Sequence, residues 1–292
     1  MSPWRNPALT CGKVVQCSEL ACAVILTAFI EVTMTASILK PLRGILEKTA
    51  LRSADLWFSR WPQSTPNYQT QNGCRIVSHR GVHDNRQVFE NTLHAFQRAH
   101  GAGAWGIEFD IRWTKDSVPV VFHDADFQRV FRKPGFLSDL TWSEVQRKFP
   151  LIPCLEQIEE QFHKRLHFMI ELKEPLAAGD PRISILADCL KTLQPITEFH
   201  LLGLRPQMLE GLNKFPNESL VLVPLQNVRM IAEEALRRQW GGVAGHYLLL
   251  SPFWRSKLRD ANIRVGVGFP ASRNSLWREL HLGCDWIFTN HA

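Results

Sequence analysis

From residue 75 onward the chain alternates short apolar runs with segments of helical spacing, and this alternation restricts the fold more than any other feature. Strand-like runs lie near residues 75–79, 106–111, 118–123, 167–172, 198–203, 219–225, 264–269 and 285–289. Helical patterns fall at 92–101, 155–164, 183–193, 206–214 and 229–239, and a ninth run, 243–250, fits either state. Strands separated by helices build a parallel sheet, and eight of them close into a (β/α)8 barrel, the TIM barrel, of about 250 residues. An open doubly wound sheet is the rival architecture, but no Gly-rich phosphate loop follows the first run.

Four of the runs end in polar groups: Arg75-Ile-Val-Ser-His79-Arg80-Gly81, Gly106-Ile-Glu108-Phe-Asp110, Pro119-Val-Val-Phe-His123-Asp124 and His167-Phe-Met-Ile-Glu171-Leu-Lys173. The active site of such a barrel sits at the C-terminal ends of its strands. Because a strand sends alternate side chains to opposite faces, Glu108 and Asp110 project together, as do Glu171 and Lys173. Two carboxylates on one face repel unless a cation or proton lies between them. Oxygen ligands suit a hard divalent cation, Mg2+ or Ca2+, and the absence of nearby Cys or paired His argues against zinc. His79 and His123 titrate nearest neutral pH and suit proton transfer in both directions. Arg80 and Lys173 are placed to hold phosphate oxygens.

Net charge of +6 and a pI near 9.0 favour anionic partners, phosphate esters or an anionic membrane surface. No dense Lys/Arg run or nucleic-acid motif occurs, which argues against nucleic acid. Seven scattered cysteines without CxxC pairs read as reduced thiols of a cytosolic protein.

The chain divides into an N-terminal extension, residues 1–70, and a barrel, residues 71–292. Residues 20–39 are apolar, but a span needs about 20 such residues and Glu31 lies inside, which disfavours a transmembrane helix. A secretory signal is also disfavoured, and a true start at Met34 would account for the segment equally well. Residues 37–61 interleave Ile38, Leu42, Ile45, Leu46 and Leu51 with Lys40, Arg43, Lys48 and Arg52. Such a basic amphipathic helix either lies peripherally on an anionic membrane or packs across the bottom of the domain, the commoner outcome. Residues 62–73 read as a linker. Leu140-Thr-Trp-Ser143 reads as a helix start capped by Thr141 or Ser143.

In order and spacing, His79-Arg80-Gly81, Glu90-Asn91-Thr92, Gly103 to Asp110, Thr114-Lys115-Asp116, Val120 to Asp124, Ile152 to Glu156 and Ile170 to Lys173 resemble the glycerophosphodiester phosphodiesterase family. The resemblance is close over residues 76–173 and looser to the C-terminus. It implies a TIM barrel that hydrolyses glycerophosphodiesters to glycerol 3-phosphate and an alcohol with a divalent cation. It further implies Glu108, Asp110 and Glu171 as metal ligands, His79 and His123 as general acid and base, and Arg80 and Lys173 as phosphate contacts. Glu90 and Asn91 would support the first loop, with Asn91 or Thr92 capping the next helix. Three positions depart from the family pattern: Phe89 replaces a Pro, Val267-Gly268-Phe269-Pro270 replaces a Trp-containing run, and Asn290 replaces the final Asp. These leave the alcohol open rather than the chemistry. A lysophospholipase D using the same site, and a catalytically silent binding barrel, are the alternatives.

Overall fold

The computed structural model describes Ser53, residues 56–270 and residues 272–290. The chain divides into two compact units between Pro62 and Gln63. Of the first, residues 56–60 are helical and Leu56, Trp57 and Trp61 are exposed. The apolar run 20–39 and most of the amphipathic segment 37–61, including every apolar and basic residue named for it, lie outside the described residues. No helix among the described residues is long and apolar enough to cross a membrane.

The second unit opens with a short helix, α1 (Tyr68–Asn72), inside the stretch read as linker. The Asn67 side chain nucleates it by accepting from the Thr70 N–H at 2.8 Å. The barrel strands are β1 (Ile76–His79), β2 (Gly106–Trp113), β4 (His167–Leu172), β5 (Phe199–Gly203), β6 (Leu220–Leu222), β7 (Gly242–His246), β8 (Arg264–Gly268) and β9 (Trp286–Thr289). All pair in parallel with their neighbours, and β1 closes the ring by pairing with both β2 and β9. The remaining strand, β3 (Pro119–Val121), is antiparallel to β2.

This arrangement corrects two strand assignments. The run 118–123 is a strand but not a barrel stave, because the residues between β2 and β3 are too few for a parallel crossover, which needs a dozen or more. They form a hairpin in which the Thr114 N–H donates to Val118 O at 3.1 Å and Ser117 takes a left-handed φ of 61°. The stave missing from the count is β7, from the run that fitted either state.

On the flanks lie α2 (Leu93–Gly101), α5 (Leu155–Phe162), α6 (Pro181–Cys189), α7 (Val228–Arg238), α8 (Pro252–Asp260) and α9 (Arg273–His281). Thr92 rather than Asn91 caps α2, accepting from Ala95 N at 3.2 Å. The helix expected at 206–214 is only a 3-10 turn, Pro206–Met208. There Gly211 meets the backbone at Leu176, where a Cβ would lie 1.9 Å from the carbonyl oxygen. That close approach, and the low helix propensity of Gly, set the path instead.

Strand alternation sorts the core into two layers. Ile107, Phe109 and Ile111 of β2, with Phe168, Ile170 and Leu172 of β4, pack against the helices. Val77, Met169, Leu202, Val221, Ala244, Trp286 and Phe288 fill the barrel interior. Room for the two aromatics comes from glycine: a Cβ on Gly242 would lie 2.8 Å from the Trp286 ring, and one on Gly266 3.0 Å from Phe288.

At the N-terminal mouth the interior is polar. The Arg264 Nη1–H donates to His200 Nε2 at 3.2 Å. That leaves His200 Nδ1–H to donate to His167 Nε2 at 2.8 Å, and His167 Nδ1–H to donate to Thr197 O at 3.0 Å. Both rings are buried and neutral, their pKa values pushed down by burial to about 3 for His167 and about 2 for His200.

A second apolar cluster lies between β2 and α5. Val120, Phe122, Phe127, Leu137, Val145, Phe149, Ile152 and Cys154 give the insertion its own core, with Phe127 stacked on Phe149 at 3.8 Å. Within it are α3 (Gln128–Phe131) and α4 (Trp142–Lys148). Thr141 caps α4 in a capping box with Glu144.

Candidate active site

Inward-facing positions at the C-terminal strand ends bring the expected residues together. In register, Asp110 of β2 stands beside Glu171 of β4, and His79 of β1 beside Glu108 of β2. Because Glu108 and Asp110 alternate with Ile107, Phe109 and Ile111, the same pattern that buries the outer layer turns both carboxylates into the barrel. Beyond β1 the chain turns sharply, with Arg80 and Gly81 at φ of 57° and 78°. Gly81 is obligatory there, since a Cβ would lie 2.7 Å from the backbone of Ala95. The Arg80 N–H donates to Glu108 O at 2.8 Å, which aims the side chain across the mouth.

Oxygens of Glu108, Asp110 and Glu171 lie within 4.8 Å of one another, and all three residues are buried. Two cations answer them. Lys173 Nζ lies 2.8 Å from Asp110 Oδ1 and also pairs with Glu171, while Arg80 Nε lies 3.1 Å from Asp110 Oδ2. Asn91, at a left-handed φ of 57°, donates from Nδ2 to Asp110 Oδ2 at 2.7 Å. Burial raises the Asp110 pKa, but Lys173 and Arg80 outweigh it and hold the carboxyl below its usual value. Glu108 goes the other way: burial, then repulsion from Asp110 and Glu171, pushes it well above the ordinary range. Glu171 is also raised, by burial and Asp110 against the pull of Lys173. Three carboxylates against two cations leave one negative charge in excess. A divalent cation reverses that to one positive charge, which a phosphodiester monoanion then neutralises. The all-oxygen donor set and the uncompensated charge at Glu108 fit a hard divalent cation.

The two histidines flank the carboxylates from different directions. His79 directs Nε2 toward Glu108 Oε2 at 3.7 Å, and its Nδ1 contacts Asn290 Oδ1 at 2.7 Å. Burial, then the neighbouring Arg80 charge, lowers its pKa to about 4. His123 arrives from above. β2 overshoots the rim, and β3 returns antiparallel until the Phe122 N–H donates to Asp110 O at 2.9 Å, which sets His123 at the level of the carboxylates. Arg112 Nε fixes its backbone by donating to His123 O at 2.7 Å, and Asp124 Oδ1 contacts His123 Nδ1 at 2.6 Å. Burial lowers the His123 pKa, while the Asp110 charge and the Asp124 contact oppose that shift.

Further residues complete the mouth. Glu90, buried and read from sequence as loop support, accepts from Arg80 Nη1 at 3.0 Å and Asn85 Nδ2 at 2.6 Å. Asn290 entered the sequence reading only as a departure from a family pattern; its place just past a strand end was the signal that it belongs to the site. Phe269 meets His79 edge-on at 5.2 Å in a left-handed backbone (φ 65°), and His246 lies 6.4 Å beyond it. His246 carries no signal in the sequence because its run, 243–250, fits either state there. Arg129 and Arg112 carried no sequence signal, since their partners are distant in the chain.

Comparison with known proteins shows what this chain resembles. The model of the glycerophosphoryl diester phosphodiesterase family matches residues 79–209, which include all seven proposed site residues. A glycerophosphodiester phosphodiesterase of Caldanaerobacter subterraneus is 43% identical over 72 residues, 25% of this chain and 29% of the relative. One from Bacillus altitudinis is 34% identical over 110 residues, 34% of this chain and 44% of the relative. The chain thus aligns with less than half the length of these relatives. Among solved structures, a glycerophosphodiester phosphodiesterase from Parabacteroides distasonis superposes with a TM-score of 0.63 at 20% identity, covering 75% of this chain and 93% of that one. An Oleispira antarctica phosphodiesterase in complex with the product sn-glycerol-3-phosphate does so with a TM-score of 0.61 at 19% identity, covering 76% and 95%. The fold is that of these barrels, and residues 79–209 match the glycerophosphoryl diester phosphodiesterase family.

Proposed function

We propose that this protein hydrolyses glycerophosphodiesters to glycerol 3-phosphate and an alcohol with a bound divalent cation. One observation carries this reading: three buried carboxylates within 4.8 Å, answered by Arg80 and Lys173 and flanked by two histidines. Glu108, Asp110 and Glu171 are the proposed ligands, for Mg2+ or Ca2+. When bound, the cation supplies positive charge for phosphate oxygens and lowers the pKa of an attacking hydroxyl. Arg80 and Lys173 hold the phosphate and meet the negative charge that grows in the transition state. The Oleispira enzyme's product, sn-glycerol-3-phosphate, is what this chemistry would release.

The two histidines have different partners, and this suggests their roles. His79, with an amide at Nδ1, keeps the Nε2 lone pair free and acts as the base toward water, or toward the glycerol 2-hydroxyl, whose attack expels the alcohol and leaves a cyclic phosphate that water then opens to glycerol 3-phosphate. His123, with the Asp124 carboxylate at Nδ1, is supported while carrying a proton and returns one to the leaving alcohol. A lipid substrate is the second reading, favoured by the apolar Phe269 and Leu225 exposed in the loops after β8 and β6. A cytosolic setting and peripheral membrane contact through residues 37–61 are proposals carried by the sequence.

The test is turnover of glycerophosphocholine and lysophosphatidylcholine with Mg2+ or Ca2+, with products identified. Release of glycerol 3-phosphate, abolished by chelation, is expected; cation-independent cleavage would sink the carboxylate assignment. Faster turnover of lysophosphatidylcholine would favour the lipid reading.

A further inference from the structure

We propose that Arg129 is a positioning residue that ties the His123 proton-transfer pair to the Arg80 phosphate arm, so that both stand correctly only together. The inference rests on the phosphodiesterase reading above. Arg129 lies on the insertion, in α3, and its guanidinium spans two carboxylates. Nε donates to Asp124 Oδ2 at 2.6 Å, while Nη2 and Nη1 donate to the two oxygens of Glu90 at 2.6 and 2.9 Å. Asp124 spends its other oxygen on His123 Nδ1. Glu90 in turn accepts from Arg80 Nη1, and Arg80 reaches Asp110 through Nε. The result is one unbroken series: His123, Asp124, Arg129, Glu90, Arg80, Asp110.

Several features make this more than a surface ion pair. Glu90 is 5% exposed, so its charge must be answered by protein groups. Burial raises the Glu90 pKa, and the hydrogen bonds from Arg129 and the charge of Arg80 overcome that to hold it at about 2. Two guanidiniums answer the three carboxylates of the series, with Lys173 sharing Asp110. Without Arg129 an excess negative charge would stand beside the phosphate arm, Arg80 would be drawn toward Glu90, and Asp124 would be free to turn from His123. Lysine cannot replace it, because an ammonium lacks the planar fork that engages both oxygens of Glu90 while also donating to Asp124. The series also joins segments with separate apolar support, since Glu90 and Arg80 belong to the barrel's first loop and Arg129 stands on α3, whose Val130 and Phe131 pack against the insertion core.

The test is a double-mutant cycle in the full chain with saturating cation. Arg129→Ala is expected to lower kcat about tenfold and raise KM about tenfold. In a His123→Ala background the kcat effect should vanish while the KM effect, which runs through Arg80, persists. Arg129→Lys, which keeps the charge and the fold, should recover part of the KM effect and little of kcat. Equal loss of kcat in both backgrounds, or full rescue by lysine, would overturn the proposal. A second readout needs no turnover. Shifts in urea midpoint from Glu90→Gln and Asp124→Asn should be non-additive with Arg129 present and additive in Arg129→Ala; additivity in both overturns the bridge. A wild-type protein that turns over no glycerophosphodiester would refute the functional reading, and the urea cycle would still decide the bridge.

Discussion

At the scale of single residues, the site is a problem in charge balance. Glu108 is the carboxylate least answered by protein cations, so Glu108→Gln should weaken cation binding while sparing the fold. Wild type should gain about 2.7 kcal/mol of stability at cation concentrations 100-fold above Kd. The variant should gain far less, as measured by thermal unfolding with and without Mg2+ or Ca2+. Asn290→Ala removes the hydrogen-bond partner of His79 Nδ1 and should lower kcat about tenfold with little change in KM. An unchanged kcat would show that His79 needs no orienting group. The placement of the proposed site groups was legible in the sequence because strand alternation alone puts Glu108 with Asp110 and Glu171 with Lys173. The groups that hold them were less so. Arg129 meets Glu90 across 39 positions, and no local pattern encodes a contact at that distance.

At the scale of elements, two stretches of similar composition took different roles. The run 118–123 reads as a strand and 243–250 fits either state, and connection length separates them: a five-residue link can only make a hairpin, whereas the second run is flanked by helices. The apparent helix at 206–214 failed for a nonlocal reason, the contact of Gly211 with the backbone of Leu176, which no periodicity reports. Packing inside the barrel is equally specific. Gly266→Ala would force a methyl against Phe288 and Ala244, and overpacking of this kind costs about 1–3 kcal/mol. Denaturant unfolding checks it, and combining Gly266→Ala with Phe288→Leu should recover part of the loss.

At the scale of the whole molecule, the buried imidazole pair at the N-terminal mouth makes stability depend on pH. His167 and His200 are held neutral, with folded pKa values near 3 and 2 against an unfolded value near 6.5. Between those limits the unfolded chain binds more protons, so this contribution is complete above about pH 6.5 and is lost as pH falls. Each ring adds a slope of up to about 1.4 kcal/mol per pH unit. Comparing wild type with His200→Gln by urea unfolding at pH 7 and pH 5.5 isolates it: the variant should lose less stability over that interval. The insertion sets a different limit. His123, Asp124 and Arg129 stand on a segment with its own small apolar core, and such a unit is expected to open at a lower free energy than the staves. Gentle heating or low denaturant should therefore silence turnover while the barrel's circular dichroism is still intact. The working lifetime of the proposed activity then belongs to a minor part of the chain, and hardening Phe127 and Phe149 against each other would prolong it more than any improvement to the barrel.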